Sequence, residues 1–229
     1  MKIIFLKKCK APAIIYWVYF FTKIRNIFFK RKIKYEKRTH INFLQNKNIS
    51  VDYFSLNSFN FLIVLNKLNE NFNYLEIGSF EGNSAMFVAS RFPNAKISCV
   101  DTWQKTEEYD QEIDFSKVEN NFDKNISQFT NIQKNKKDSD SFFNSNTNYF
   151  EVIYVDGYHY GPQVYKDVKN SWKFLMVGGY LICDDYIWGI SKNFNLTPCF
   201  AINKFLRENK DCYKIILISN NQIFLKKIK

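Results

Sequence analysis

Residues 74–85 read YLEIGSFEGNSA, and this stretch decides the fold. An apolar, strand-like run ends on the acidic Glu76. It opens at Gly78 and Gly82 into a helix-like run, SAMFVASRF. Asp101 follows about one βαβ step later, at the end of a second apolar run, KISCVD. Such a layout suits a ligand with an adenosine ribose and a charged tail, bound at the carboxyl ends of parallel strands. Glycine lets the backbone turn tightly and approach that ligand without a Cβ in the way. An acidic residue at the tip of the second strand can accept hydrogen bonds from the ribose hydroxyls. A dinucleotide site would also want glycine at position 80, where this chain has Phe80, so a nicotinamide-dependent oxidoreductase is the weaker reading.

Working outward, strand candidates lie at Tyr74–Ile77, Ile97–Val100, Asn131–Gln133, Phe150–Val155 and Gly179–Cys183. Helical stretches at Asn83–Arg91, Asp114–Phe129 and Gln163–Phe174 separate them, and Ser58–Leu68 reads as a helix before the first strand. Strands alternating with helices imply a parallel sheet with right-handed crossovers. The end of the chain differs. Tyr213–Ser219 and Gln222–Lys226 flank Asn220 and Asn221, a turn between two apolar runs, and therefore a β-hairpin that brings an antiparallel strand into the sheet. The polar segment from Thr106 to Asp140 reads as a lid or as a solvated insertion.

With 229 residues, 46% of them hydrophobic, the chain can bury one full core. Its net charge of +11 is confined to one end. Residues 1–40 hold 12 of the 33 lysines and arginines against a single acid, Glu36, and the remaining 21 basic and 21 acidic residues cancel. A neutral body argues against a basic groove for nucleic acid. The division that follows is a basic, aromatic-rich N-terminal extension, 1–40, and a globular domain, 41–229. In the extension the uncharged run Ala11–Thr22 is shorter than the roughly 20 residues needed to span a bilayer. At helical spacing Ile14, Trp17, Val18, Phe21, Ile24 and Phe28 line one side, with Tyr16, Tyr19, Lys23, Asn26 and Lys30 on another. That pattern suits peripheral contact with anionic lipid; an oligomer-contact helix or a loose tail is the plainer alternative. Five cysteines without a CxxC spacing point to a reducing, cytoplasmic setting, at the inner face of a membrane if the extension docks there.

Two further clusters carry chemistry. In FEVIYVDGYHYGPQVYKDVKNSW a strand ends at Asp156, Gly157 turns the chain, and His159 lies just beyond. A carboxylate there sits over the ligand crevice. His159 has an unperturbed pKa near neutrality and suits a general base or a substrate-positioning role, against the alternative of a loop histidine capping a helix. In GGYLICDDYIW a strand ends on Asp184 and Asp185. Adjacent carboxylates repel unless a cation or donors compensate. Together with Asp156 they would bind Mg²⁺ or another hard cation, against a solvated loop with one carboxylate on the ligand. Side chains alternate along a strand, so Asp184 and Asp185 can face one ion only where the strand has already broken.

The motifs LEIGSFEGNSA, CVDTW, VDGYHYGPQVYKDVKNSW and GGYLICDDY together resemble the class I S-adenosylmethionine (SAM)-dependent methyltransferases. The group in question includes macrocin O-methyltransferase and cephalosporin-hydroxylase-like proteins, and the resemblance covers about Asp52 to Lys227. It implies a Rossmann-like α/β fold: a mostly parallel seven-stranded sheet, helices on both faces and a C-terminal antiparallel hairpin. By resemblance Glu76, Gly78, Ser79 and Gly82 hold the methionine end of SAM, and Asp101 holds its ribose. Asp138 and Ser139 fall at the adenine side, and Asp156, Asp184 and Asp185 fall where metal-dependent members carry their ligands. His159 and Asp156 would serve catalysis. The implied activity is methyl transfer to a hydroxyl of a small-molecule or sugar acceptor, with a non-catalytic SAM-binding scaffold or membrane tether as the rival.

Overall fold

The computed structural model describes residues 1–106, 113–189 and 193–229. Three N-terminal helices, α1 (Lys2–Lys8), α2 (Ala13–Phe28) and α3 (Lys30–Leu44), precede α4 (Ser58–Leu65). An alternating series then begins: β1 (Asn73–Ile77), α5 (Asn83–Arg91), β2 (Lys96–Asp101), α6 (Phe115–Ile126), β3 (Ile132–Lys136), α7 (Ser139–Ser145), β4 (Phe150–Val155), α8 (Gly161–Phe174) and β5 (Leu175–Cys183). Helix α9 (Pro198–Glu208) and the hairpin β6 (Tyr213–Ser219) and β7 (Gln222–Lys227) close the chain. The seven strands form one sheet in the order β3-β2-β1-β4-β5-β7-β6. Strands β1 to β5 run parallel, and β7 pairs antiparallel to both β5 and β6. The strand order reverses between β1 and β4, so their carboxyl ends flank the crevice where such sheets bind ligands.

Strand side chains alternate between two apolar layers. Leu75, Ile77, Ile153, Val155, Leu181 and Cys183 enter one, and Tyr74, Val152, Tyr154, Tyr180 and Ile182 enter the other. Burial on both faces is why these strands read as continuous apolar runs. Asn220 and Asn221 both take positive φ, as the tight turn between β6 and β7 requires. In the weakly patterned polar segment, Asp114 caps α6 by accepting from the Ser116 amide, and β3 forms one residue later than its sequence suggests. The Asn131 side chain is turned instead to the Ala95 carbonyl. Residues 107–112 of this segment lie outside the described residues.

The N-terminal region is built into this body. Leu6, Cys9 and Ile15 are fully buried within one apolar layer. Helix α2 packs along β6, the edge strand, where Thr22 Oγ1 accepts from the Ile218 amide at 3.3 Å. That covers an edge that would otherwise offer unpaired amides. The boundary expected between residues 40 and 41 falls inside α3. His40 is buried there at 2.7 Å from Asn83 Oδ1, the second residue of a hydrogen-bonded set that continues to Asp52.

Candidate active site

The ligand loop is fixed from β1 and β2 together. Gly78 takes φ +86°, and a Cβ there would lie 2.0 Å from the Asp156 carbonyl oxygen, so only glycine lets the ends of β1 and β4 approach this closely. Asp101, at the end of β2, accepts from the Ser79 and Phe80 amides on Oδ2 at 2.8 and 2.9 Å and from the Trp103 amide on Oδ1 at 2.8 Å. Trp103 returns the contact by donating its indole N–H to the Phe80 carbonyl at 2.8 Å. Phe80, at the position where a dinucleotide loop would carry glycine, takes φ +47°, and Trp103 takes φ +52°. Strained backbone of this kind persists where surrounding bonds over-determine it, and it gathers at functional sites.

A cavity of about 320 Å³ opens over this loop and is lined by Gly78, Asp101, Asp138 and Ser139 among others. Asp138 caps α7, accepting from the Ser141 amide at 2.7 Å, which orients the following Ser139. Ser139 Oγ donates to Asp167 at 2.6 Å, and Gln163 Nε2 donates to the same oxygen at 3.1 Å. Burial pushes the Asp167 carboxyl up to about 6. Trp103, Gln163 and Asp167 also line the cavity, and the sequence reading did not single them out. The signal was present for two of them, because Gln163 and Asp167 stand one helical turn apart on the inward side of α8. Glu76 and Gly82 line neither this cavity nor the next. Glu76 lies beneath the loop, fully buried, where it accepts from the Tyr74 hydroxyl at 2.9 Å. Burial pushes its carboxyl up to about 7 against the opposing pull of the Ser84, Tyr74 and Ser79 hydroxyls. Gly82, at φ +80°, is the N-terminal cap of α5.

A second cavity, about 730 Å³, shares Gly78 and Phe80 with the first and carries Ser79, Asp156, His159, Asp184 and Asp185. Tyr53, Phe54 and Trp188 contribute aromatic wall. Past the end of β5, Asp185 turns into the left-handed region at φ +52°, which separates its side chain from that of Asp184. Asp185 Oδ2 lies 2.6 Å from His159 Nε2, which is 3.9 Å from Asp156 Oδ1. One ligand atom from each of Asp156, His159 and Asp185 lies within 4.8 Å of the others. Asp184 points the other way, accepting from Gln222 Nε2 at 2.6 Å and from the Tyr154 hydroxyl, while the Asp185 amide donates to it at 2.7 Å. The expected trio of Asp156, Asp184 and Asp185 is therefore not the one assembled; His159 stands where Asp184 was expected.

Tyr154 also lies 2.8 Å from Asp156 Oδ2, and its one proton cannot serve Asp156 and Asp184 at once. Burial, and then the charge of Asp184, push the Asp156 carboxyl well above the usual carboxylate range. Burial, and then Asp185, push Asp184 up to about 6. A divalent cation would relieve this crowding of negative charge, and two carboxylate oxygens with one imidazole nitrogen form a suitable donor set.

Residues 75–186 match the family described as "Methyltransferase domain". Among solved structures, a Streptococcus mutans protein of the methyltransferase class, with S-adenosylhomocysteine (SAH) bound, superposes with a TM-score of 0.56 at 16% identity. It covers 79% of this chain and 100% of its own. The MycE methyltransferase of the mycinamycin biosynthetic pathway, solved with Mg, SAH and mycinamycin VI, gives 0.57 at 15% identity, over 84% of this chain and 54% of that one. A caffeoyl-CoA O-methyltransferase-like protein of Staphylococcus aureus gives 0.56 at 17%, over 83% and 98%. A search of curated proteins finds no match. The sheet order with its antiparallel hairpin, the domain match over residues 75–186 and the superpositions give this chain the Rossmann-like fold of the class I SAM-dependent methyltransferases.

Proposed function

We propose that this methyltransferase acts on a hydroxyl oxygen of a small-molecule or glycosidic acceptor. The observation that carries the reading is the pair of cavities meeting at Gly78 and Phe80. The first, with Asp101 at its strand end and Ser139 and Asp167 opposite, suits the donor's adenosine. The second has the 300–1,000 Å³ scale of small-ligand sites and suits the acceptor. In the transfer, the O–CH₃ bond forms as the S–CH₃ bond of the sulfonium breaks. SAH departs, and the hydroxyl proton passes to the carboxylate–imidazole cluster of Asp156, His159 and Asp185.

The sulfonium is already a strong electrophile, so the residues mainly position and deprotonate the acceptor. Asp185 holds the His159 imidazole, and Tyr154 holds Asp156. Asp156, His159 and Asp185 would hold a divalent cation, which when bound lowers the pKa of a coordinated hydroxyl. Support for a small acceptor over a nucleic acid comes from the zero net charge of residues 41–229 and from an acceptor cavity whose described lining carries Glu81, Asp156, Asp184 and Asp185 and no lysine or arginine.

The test uses the full chain, with SAH binding followed by calorimetry and SAH release followed during turnover. The acceptor panel holds polyhydroxylated, glycosidic and phenolic compounds beside amines and RNA. Turnover on hydroxyl acceptors, lost in Asp185→Ala while SAH binding persists, is expected. Turnover confined to amines or RNA refutes the acceptor class, and Asp185→Ala activity that survives EDTA refutes the cluster's role.

A further inference from the structure

Helix α2 is apolar on two sides, and inward it buries Ile15 and packs Val18 and Tyr19 against the core. Its inward side makes polar bonds: Thr22 to the Ile218 amide, Asn26 Nδ2 to Ser219 Oγ at 3.0 Å and Arg25 Nη2 to Asn60 Oδ1 at 2.9 Å. Its outward side carries Ile14, Trp17, Phe20, Phe21, Ile27 and Phe28, of which Trp17 is 63% exposed and Phe28 81%. On a helix of 3.6 residues per turn these six fall within an arc of about 140°, and no charged residue of α2 falls inside it. The rings form a continuous surface, with Trp17 against Phe21 at 6.4 Å and Phe20 against Phe21 at 5.8 Å. Packing against β6 accounts for the inward side only. Contiguous exposed apolar surface of this kind marks a partner.

We infer that this face docks on an anionic lipid bilayer, with α2 lying in the interface. Charge selects the occupant. All of the chain's +11 excess lies in residues 1–40, with Lys10 preceding α2, Lys23 at the border of the apolar arc and the tract KRKIK at residues 30–34 following it. A ring of cations around an aromatic surface matches anionic headgroups around acyl chains. A second copy of the chain would bring the same excess against itself. Nucleic acid would want the cations on the contact face itself, where none stands. Among the described residues no helix is long and apolar enough to cross a membrane, so the contact is interfacial. The inference is independent of the acceptor.

The experiment is co-sedimentation of the full chain with phosphatidylcholine vesicles and with equimolar phosphatidylcholine–phosphatidylglycerol vesicles, at low and high salt. Sedimentation with the anionic vesicles alone, weakened by salt, is expected, each lysine or arginine near the surface contributing about fivefold. The variant Trp17→Ser/Phe20→Ser/Phe21→Ser alters only exposed side chains and should keep its melting temperature and SAH affinity while losing roughly tenfold or more of the binding. Absence of binding to anionic vesicles, or equal binding by the triple variant, overturns the inference. So does a dimer in sedimentation velocity that the triple variant abolishes without any vesicle binding, since the face would then belong to a second copy.

Discussion

Replacing Asp101 by Asn tests what holds the ligand loop. The carboxylate accepts three backbone amides, two on Oδ2 and one on Oδ1, so three of its roughly four acceptor sites are taken. Asparagine has one acceptor oxygen and one NH₂ group. With its oxygen toward Ser79 and Phe80, two bonds survive without charge assistance, at a cost of about 1 kcal/mol each. The NH₂ then faces the Trp103 amide, and that lost bond costs about 1–3 kcal/mol. Asp101 is only partly buried, so water can recover part of this; a net loss of about 2–3 kcal/mol is expected. Urea denaturation reads it directly, as a midpoint lowered by roughly 1 M at unchanged slope. SAH affinity, measured by calorimetry on the folded variant, should fall with it, because the same bonds shape the cavity wall and only one acceptor site remains for a ribose hydroxyl. Wild-type stability with lost SAH affinity would refute the loop-holding role and leave Asp101 as a ligand contact alone. Wild-type values for both would remove it from the site.

Glu76→Gln should stabilise the protein above pH 7 by up to about 3 kcal/mol and change little below pH 4.5. The folded carboxyl titrates near 7, above its ordinary 4.5, so the wild type holds its full stability below the lower value and loses stability as pH rises through the upper one; equal pH profiles in urea denaturation would contradict this. Gly78→Ala puts a methyl group 2.0 Å from the Asp156 carbonyl and should abolish SAH binding, whereas Gly178→Ala, at φ +88° with nothing within 4 Å, should cost only about 1–3 kcal/mol of strain in thermal unfolding. Similar losses in the two variants would mean that φ alone matters. Leu6→Ala should cost about 2–5 kcal/mol, since Leu6 is fully buried in α1, and an unchanged urea midpoint would show that α1 is not packed there in solution.

What could be read from the sequence, and what could not, divides by the range of the interaction that fixes it. Helix α5 and strand β6 fall on the expected residues because a glycine before Asn83 and the Asn220–Asn221 turn set their ends locally. Gly78, Asp101, Asp156 and Asp185 reach the crevice for the same reason, each standing where an apolar run stops. The choice of His159 over Asp184 was not legible, because it depends on one backbone angle at Asp185 and on Gln222, which holds Asp184 from β7, 38 positions away. Glu76 likewise ends an apolar run, yet alternation turns its side chain beneath the sheet's loop rather than into a cavity. The N-terminal helices were the hardest case. Their docking rests on pairs such as Cys9 with Thr197 and Thr22 with Ile218, separated by 188 and 196 positions, and no local pattern records such partners. The exposed apolar face of α2 follows from this. Periodicity grouped Ile14, Trp17, Val18, Phe21, Ile24 and Phe28 on one side; of these Ile14, Trp17, Phe21 and Phe28 are exposed while Val18 packs against the core, and a helix wheel does not say which side meets the protein. The burial of Ile15 and the polar bonds of Thr22, Arg25 and Asn26 to the body reveal that the aromatic side is the one left outside.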